Sequence, residues 1–539
     1  MIIAKTKPFL LDCTLRDGAY IVDSRFGESA IRGIIGKLED AGVEIIECGW
    51  LKDKPHEEGS SFFHIPADLE RYLTDKKETV TYAVMIDWDR YDTAALPDRD
   101  GCSVDAIRVV FPHGKQREGV AVGKKIAGKG YKLFFQAANT LAYSHKDLVS
   151  LAEEINDSAA VSLSIVDTFG AMYEEDLERI ATTLHSHLRS DIALGFHSHN
   201  NQQLSFALSQ HFVRMFRETD RQTIVDASLC GMGRGAGNAT TELMVSYLNR
   251  KCGCHYDMDA VMDAIDTYMG YFREHYSWGY STPYLIAGLY QCHVNNIAYL
   301  LNNHRVSAKD MRQIIESLSP EDRRKYDYDL LERKYLSHAS CRVDDSESAE
   351  LLKSALEGRE ILLVAPGKSS VTEHEKVAEY VSSANPVVMG VNALVPDYDY
   401  DYLFLVNPAR YEYAAKKEPV RFGQTKRIVL SNIKTQAGPG EYIFAYEHAI
   451  KRGYEHFDNA VICALRLLDW LGIEKVAIAG FDGFSRVYSE SYADPALPVL
   501  KTDGKWDELN DEIRDMFQEF KAHARNCKTI TMITESYFG

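Results

Sequence analysis

The chain has 539 residues, more than one ordinary hydrophobic core organises, so two or more domains are expected. Apolar residues make up 45% and charged residues 26%, the balance of a globular protein, and a formal net charge of −18 excludes the basic surface that nucleic acid requires. No apolar run approaches the roughly 20 residues that span a bilayer, and the opening "MIIAKTKPFLLDC" lacks a signal-peptide h-region, so a cytoplasmic location without a membrane partner is expected.

From residue 9 to residue 233 one theme repeats. Short apolar runs alternate with helical or polar stretches: "FLLDCTL" (9–15), "VEIIECGW" (43–50), "TYAVMID" (81–87), "AIRVVFPH" (106–113), "KLFFQAANT" (132–140), "AVSLSIVDTFG" (160–170), "IALGFHSHN" (192–200) and "IVDASLCGMG" (224–233). Continuous apolar strands with long connections indicate a parallel sheet covered on both sides. Eight such units predict a (β/α)₈ TIM barrel over residues 1–257. A doubly wound sheet alternates similarly, but the polar strand ends decide for the barrel. Arg16-Asp17, Glu47, Asp87, His113, Gln136 with Asn139, Asp167, His197 with His199 and the Gly-rich "GMGRGAGN" would all converge on one barrel mouth. "KCGCH" (251–255) has half the spacing of a zinc site but no second cysteine pair, so it reads as a surface turn. The ten cysteines are too sparse for a disulfide scaffold.

Residues 258–340 read as a helical extension of the barrel, and the aperiodic "SHASCRVDDSES" (337–348) marks a boundary. Alternation resumes over 345–539 with "EILLVAPGKSS", "PVVMGVNAL", "DYLFLVN", "RIVLSNI", "KVAIAGFDGFS" and "TITMIT", predicting a second, open Rossmann-like α/β domain. The turn Pro366-Gly367-Lys368-Ser369-Ser370 lacks both the Walker and the dinucleotide spacing. Gly367, Lys368 and Ser369 there, with Asp482 and Asn392 at later strand ends, are candidates for a nucleotide or nucleotide sugar. The set has a faint similarity to sialyltransferase-like enzymes, and the alternative is an assembly role.

His197 and His199 alternate on strand seven, so both imidazoles point to one side. Two imidazoles make half a metal site, completed most simply by a carboxylate, and Asp17 lies within reach across the mouth. Arg16 would then lean over the ligand oxygen and stabilise a developing enolate, serving turnover more than folding. Gly18 is expected to allow a sharp turn after strand one. Mn²⁺ or Mg²⁺, with Co²⁺ or Zn²⁺ as alternatives, could chelate an α-keto acid and acidify its neighbouring carbon.

"DCTLRDG", "DTFGAM", "GFHSHNN" and "DASLCGMGRGAGNATTE" together resemble the metal-dependent TIM-barrel aldolase/lyase superfamily of hydroxymethylglutaryl-CoA lyase and the isopropylmalate synthases. Within it the look is nearest to the 4-hydroxy-2-oxovalerate aldolases, over roughly residues 8–320. The resemblance implies a carbon–carbon lyase acting on an α-keto acid and an aldehyde, as a homo-oligomer. It implies Asp17, His197 and His199 as metal ligands, Arg16 as enolate stabiliser, Asn238 as a further ligand and Tyr290 as an active-site tyrosine. Where those aldolases carry a histidine base, this chain has Tyr20, whose unperturbed pKa near 10 makes a poor base. Glu47, His113 and Asp167 are the other strand-end candidates, as bases or as groups orienting a ligand. Rival readings are a Claisen-type acyl-CoA enzyme on the same barrel, a bifunctional enzyme whose C-terminal domain is a nucleotide-sugar-dependent transferase, and a non-catalytic scaffold.

Overall fold

The computed structural model describes residues 6–73, 75–304, 306–339, 343–433, 440–451, 453–454, 459–485, 491–497 and 506–539, so the first five residues and 340–342 of the expected boundary lie outside it. Two compact units emerge: Met1–Ile297 with Arg323–Lys325, and Ala298–Asp322 with Tyr326–Gly539. The helical stretch beyond residue 258 is thus divided between them.

The first unit is a closed barrel of eight parallel strands: β1 (Phe9–Asp12), β2 (Ile45–Leu51), β3 (Thr81–Asp87), β4 (Ala106–Phe111), β5 (Lys132–Ala137), β6 (Ala160–Asp167), β7 (Ala193–Ser198) and β8 (Thr223–Ala227). Each pairs with its neighbours in chain order, and β1 pairs with both β8 and β2, which closes the ring. A two-residue segment, Phe62–Phe63, adds to the edge of β2. Every one of the eight apolar runs overlaps its strand, two of them missing one strand residue each, Leu51 and Thr223. Burial on both faces explains the near-continuous apolar character: all seven residues of β2 are buried.

Strand alternation sorts the side chains into two cores. Ile46, Cys48, Ile107, Val109, Val225 and Ala227 face the surrounding helices. Their neighbours Leu11, Ile45, Ala83, Ala106, Phe134, Ala193 and Ile224 form an apolar plug inside the ring. Helices such as Glu28–Asp40 and His145–Asn156 bury one apolar stripe each against the outer core. Cys252 and Cys254 are buried there rather than in a surface turn.

The second unit holds a seven-stranded, all-parallel sheet: β9 (Ile361–Val364), β10 (Val387–Val391), β11 (Tyr402–Leu405), β12 (Lys426–Leu430), β13 (Glu441–Phe444), β14 (Lys475–Ala479) and β15 (Thr529–Met532). Its order is β13-β12-β11-β10-β9-β14-β15, so the chain reverses direction across the sheet at the β9/β14 boundary. That boundary is the topological switch point of an open α/β sheet. Among the described residues no helix is long and apolar enough to cross a membrane.

Candidate metal centre

The site rises from the barrel interior in layers. Two residues beyond Ile45, Ala106 and Ile224 of the apolar plug come Glu47, Arg108 and Asp226. Period-two geometry therefore points these three inward as well. All three are completely or almost completely buried. Gln136 and Ser164 join the same tier, where the Gln136 amide donates to Ser164 Oγ at 2.9 Å.

Burying charge costs several kcal/mol per ion unless each is paired, and here the pairing is continuous. Arg16 Nη1 lies 2.7 Å from Asp17 Oδ1 and Arg16 Nε 2.7 Å from Glu47 Oε2. Arg108 Nη1 approaches the same Glu47 oxygen at 2.8 Å, off the line of a hydrogen bond, so that contact is ionic. Arg108 Nη2 donates to Asp226 Oδ2 at 2.5 Å, and Asp226 Oδ2 is 3.0 Å from His197 Nδ1. The chain of contacts runs Asp17–Arg16–Glu47–Arg108–Asp226–His197, and its two ends meet again at the mouth.

There Asp17, His197 and His199 offer ligand atoms that all lie within 4.8 Å of one another. Asp17 sits in a single helical turn, Thr14–Asp17, directly after β1; His197 belongs to β7 and His199 follows its end. The residues fit a divalent cation on three grounds. Three carboxylates against two guanidiniums leave one uncompensated negative charge in a buried cluster. Buried oxygens of Glu47, Asp226 and Asn238 have no hydrogen-bond partner. Asp226, by accepting from His197 Nδ1–H, would leave Nε2 with its lone pair for a metal.

The electrostatics agree. Burial alone would raise the Asp17 carboxyl, but Arg16, with His199, His197 and the Asn238 amide, outweighs it and holds the group well below the usual carboxylate range. Burial lowers His199 to about 4 against the pull of Asp17, so its imidazole is neutral at pH 7, the form that binds a cation.

The remaining sequence candidates divide. Glu47 lies inside the ionic tier, paired with Arg16 and Arg108. Arg16 belongs to the same buried network, paired with Asp17 and Glu47, so a folding role accompanies the one expected of it in turnover. Asn238 places its amide nitrogen, not its oxygen, 2.5 Å from Asp17 Oδ2, and thus acts as a donor to that carboxylate. Tyr20 stands at the mouth, edge-on to Trp50 at 5.9 Å and 4.1 Å beneath the Arg234 guanidinium. It is 44% exposed, yet crowding raises its phenol above 10 despite Arg234 and Arg16. Asp167 accepts from the Ala171 and Met172 amides, and burial raises it to about 6. His113 is exposed, with Asp147 at 3.4 Å and the Tyr143 ring at 4.4 Å as its neighbours. Tyr290 closes helix Thr282–Leu289 with Arg323 over its ring at 5.1 Å.

Gly18 does not turn the chain by a special conformation. Its φ is −63°, and it is glycine because a Cβ would meet Met232 Sδ at 2.9 Å. At Gly233 a Cβ would meet the Asn238 amide at 2.4 Å and Asp17 Oδ2 at 2.8 Å, so the Gly-rich turn is what lets Asn238 and Asp17 come together.

Residues 115–267 match the HMGL-like family model. The chain is 26% identical over 267 residues to an oxaloacetate decarboxylase of Mycobacterium tuberculosis, covering 48% of this chain and 75% of the relative. It is 27% identical over 272 residues to a 4-hydroxy-2-oxovalerate aldolase of Thermomicrobium roseum, covering 48% and 72%. A 4-hydroxy-2-oxovalerate aldolase of Moorella thermoacetica matches at 27% over 330 residues, covering 57% and 90%. These matches support lyase activity. His197, His199 and Asn238 fall inside the HMGL-like segment, whereas Asp17 and Arg16 precede it.

In the second unit, Gly367 and Asp482 line a cleft at the switch point, together with Asn392. Lys368 is exposed and not among the lining residues. Ser369 is committed elsewhere: its amide donates to Asp482 Oδ2 at 2.7 Å and its hydroxyl to Asp482 Oδ1. Asp482 therefore fixes the turn rather than presenting a free carboxylate.

Proposed function

We propose that the barrel is a divalent-metal-dependent carbon–carbon lyase of the aldolase type, acting on an α-keto acid through a pyruvate-type enolate. The observation that carries this reading is the convergence of Asp17, His197 and His199 on a buried tier of net negative charge. The names of the relatives fit one chemistry. Oxaloacetate and 4-hydroxy-2-oxovalerate are both 2-oxo acids, and breaking the bond beyond C3 of either leaves the enolate of pyruvate. We favour Mn²⁺ or Mg²⁺, with Asp17, His197 and His199 as ligands. When bound, such an ion would polarise the keto oxygen and acidify the neighbouring carbon.

The chain's own residues supply the rest. Arg16 Nε and Nη1 are held by Glu47 and Asp17, which fixes the plane of the guanidinium and leaves Nη2 as its donor toward a developing enolate oxygen. Trp50 Nε1 donates to the Arg16 carbonyl at 3.1 Å and holds the helical turn in place. Asp226 sets the His197 tautomer, and Arg108 keeps Asp226 charged. Tyr20, its phenol held protonated, suits hydrogen-bond or proton donation at the mouth better than proton abstraction. For the second unit we keep the reading of a nucleotide- or nucleotide-sugar-binding domain, supported by a cleft at its switch point.

Exchange of the pyruvate methyl protons with solvent deuterium, followed by NMR, isolates enolisation and needs no knowledge of the aldehyde. The Mn²⁺-loaded protein should catalyse it. Absence of exchange with pyruvate and with 2-oxobutyrate would overturn the enolate mechanism.

A further inference from the structure

The cleft of the second unit contains a buried cation. Arg410 lies in the first turn of helix Pro408–Lys417, which follows β11. It is 6% exposed, lines the cleft, and its Nη1 is buried without a hydrogen-bond partner. Its guanidinium stacks over the Tyr492 ring, 5.0 Å from the centroid, and Tyr492 is in turn bridged to Gly367 in the turn after β9. A buried donor on a charged group costs more than stacking returns unless an acceptor meets it. The cleft's own carboxylate does not serve, because both oxygens of Asp482 are taken by Ser369.

Two features select the acceptor. Helices Pro408–Lys417 and Ala460–Leu471 both begin at the cleft, where their capping residues Asn407 and Asn459 line it, and both dipoles add positive potential. Phe484, Tyr492 and Trp506 line the same space. The Phe484 ring lies 6.0 Å from that of Tyr492 and 5.8 Å from that of Trp506, a platform for a flat group. Positive charge beside an aromatic platform at a switch point matches an anion joined to a planar ring.

We propose that this cleft binds a nucleoside 5′-phosphate, free or as part of a larger donor, with its phosphate on Arg410 and its base against Phe484, Tyr492 and Trp506. The proposal rests on the nucleotide-binding reading of the second unit and adds the residue that anchors the anion.

Calorimetric titration of the full chain with UMP, AMP, uridine and inorganic phosphate tests it. A nucleotide should bind at least about 10-fold tighter than uridine and than phosphate alone, the scale of one charge-assisted hydrogen bond. Arg410→Met should cost the nucleotide at least about 10-fold while leaving uridine unchanged. Equal binding of UMP and uridine by the wild type would overturn the role of Arg410, and needs no variant to fold. Undiminished binding by a folded Arg410→Met chain would do the same while sparing the domain reading. Phosphate binding as tightly as UMP would remove the aromatic platform from the site. No heat with any probe would overturn the domain reading and this proposal together.

Discussion

Replacing Arg108 with methionine cuts the ionic tier at its centre. Arg108 is 1% exposed and touches Glu47 at 2.8 Å and Asp226 at 2.5 Å, so its removal takes a counter-charge from two buried carboxylates and doubles the uncompensated negative charge. Breaking a buried pair by removing one partner costs about 3–5 kcal/mol. For a unit of this size that corresponds to roughly a 5–8 °C fall in the melting temperature of the barrel. A second effect reaches the mouth. Asp226 loses its strongest counter-charge, and the carboxylate that orients the His197 ring is no longer held in place. Mn²⁺ affinity should fall by roughly 10- to 100-fold, as when a ligand's outer partner is lost. Differential scanning calorimetry with and without Mn²⁺, and a Mn²⁺ titration by electron paramagnetic resonance, read both effects. A variant within about 2 °C of the wild type by the first assay, well short of the shift expected for about 3 kcal/mol, and unchanged in the second would refute the idea of a continuous electrostatic tier.

Arg16→Ala should lower kcat by roughly 100-fold or more, the cost of a lost donor to a developing oxyanion. It should also melt early, because Glu47 and Asp17 lose their partner; a variant slow in turnover but fully stable would show that the network carries no folding energy. Tyr20→Phe should slow the reaction without removing any ionisation from the pH–rate profile between roughly pH 6 and 8. Loss of such an ionisation would make Tyr20 the base after all. Asp167 titrates at about 6 in the folded chain against 3.8 for an aspartate free in water, so the folded state binds its proton more tightly. Its contribution to stability is complete below about pH 4 and is lost as pH rises through about 6. The melting-temperature gap between wild type and Asp167→Asn should therefore move in the variant's favour over that window and stay flat above it; a gap independent of pH would contradict the sign.

The barrel was legible because its strands are buried on both faces and separated by helices of ordinary length, which gives a simple alternation in the sequence. Asp17, His197 and His199 were legible because they stand at or just beyond strand ends, where polar residues interrupt apolar runs. Arg108 and Asp226 were overlooked although the same strands display them. They lie inside apolar runs, two positions beyond a residue of the barrel plug, and a charge at such a position has to be paired across the ring. Arg410 lay beyond reach for a different reason. It sits among polar helical residues, and only the assembled sheet shows that its helix starts at a cleft. The strand Glu441–Phe444 was missed because a half-buried edge strand of four residues lacks the apolar signature of its central neighbours.

The central claim is that Asp17, His197 and His199 hold one divalent cation at the barrel mouth. A crystal of the full chain grown with Mn²⁺ and pyruvate, measured at the manganese absorption edge, tests it directly. The account predicts one anomalous peak in the barrel, about 2.0–2.4 Å from a carboxylate oxygen of Asp17 and a ring nitrogen of each histidine. A peak bound elsewhere in the barrel, or none at these three residues with the metal in excess, would contradict it.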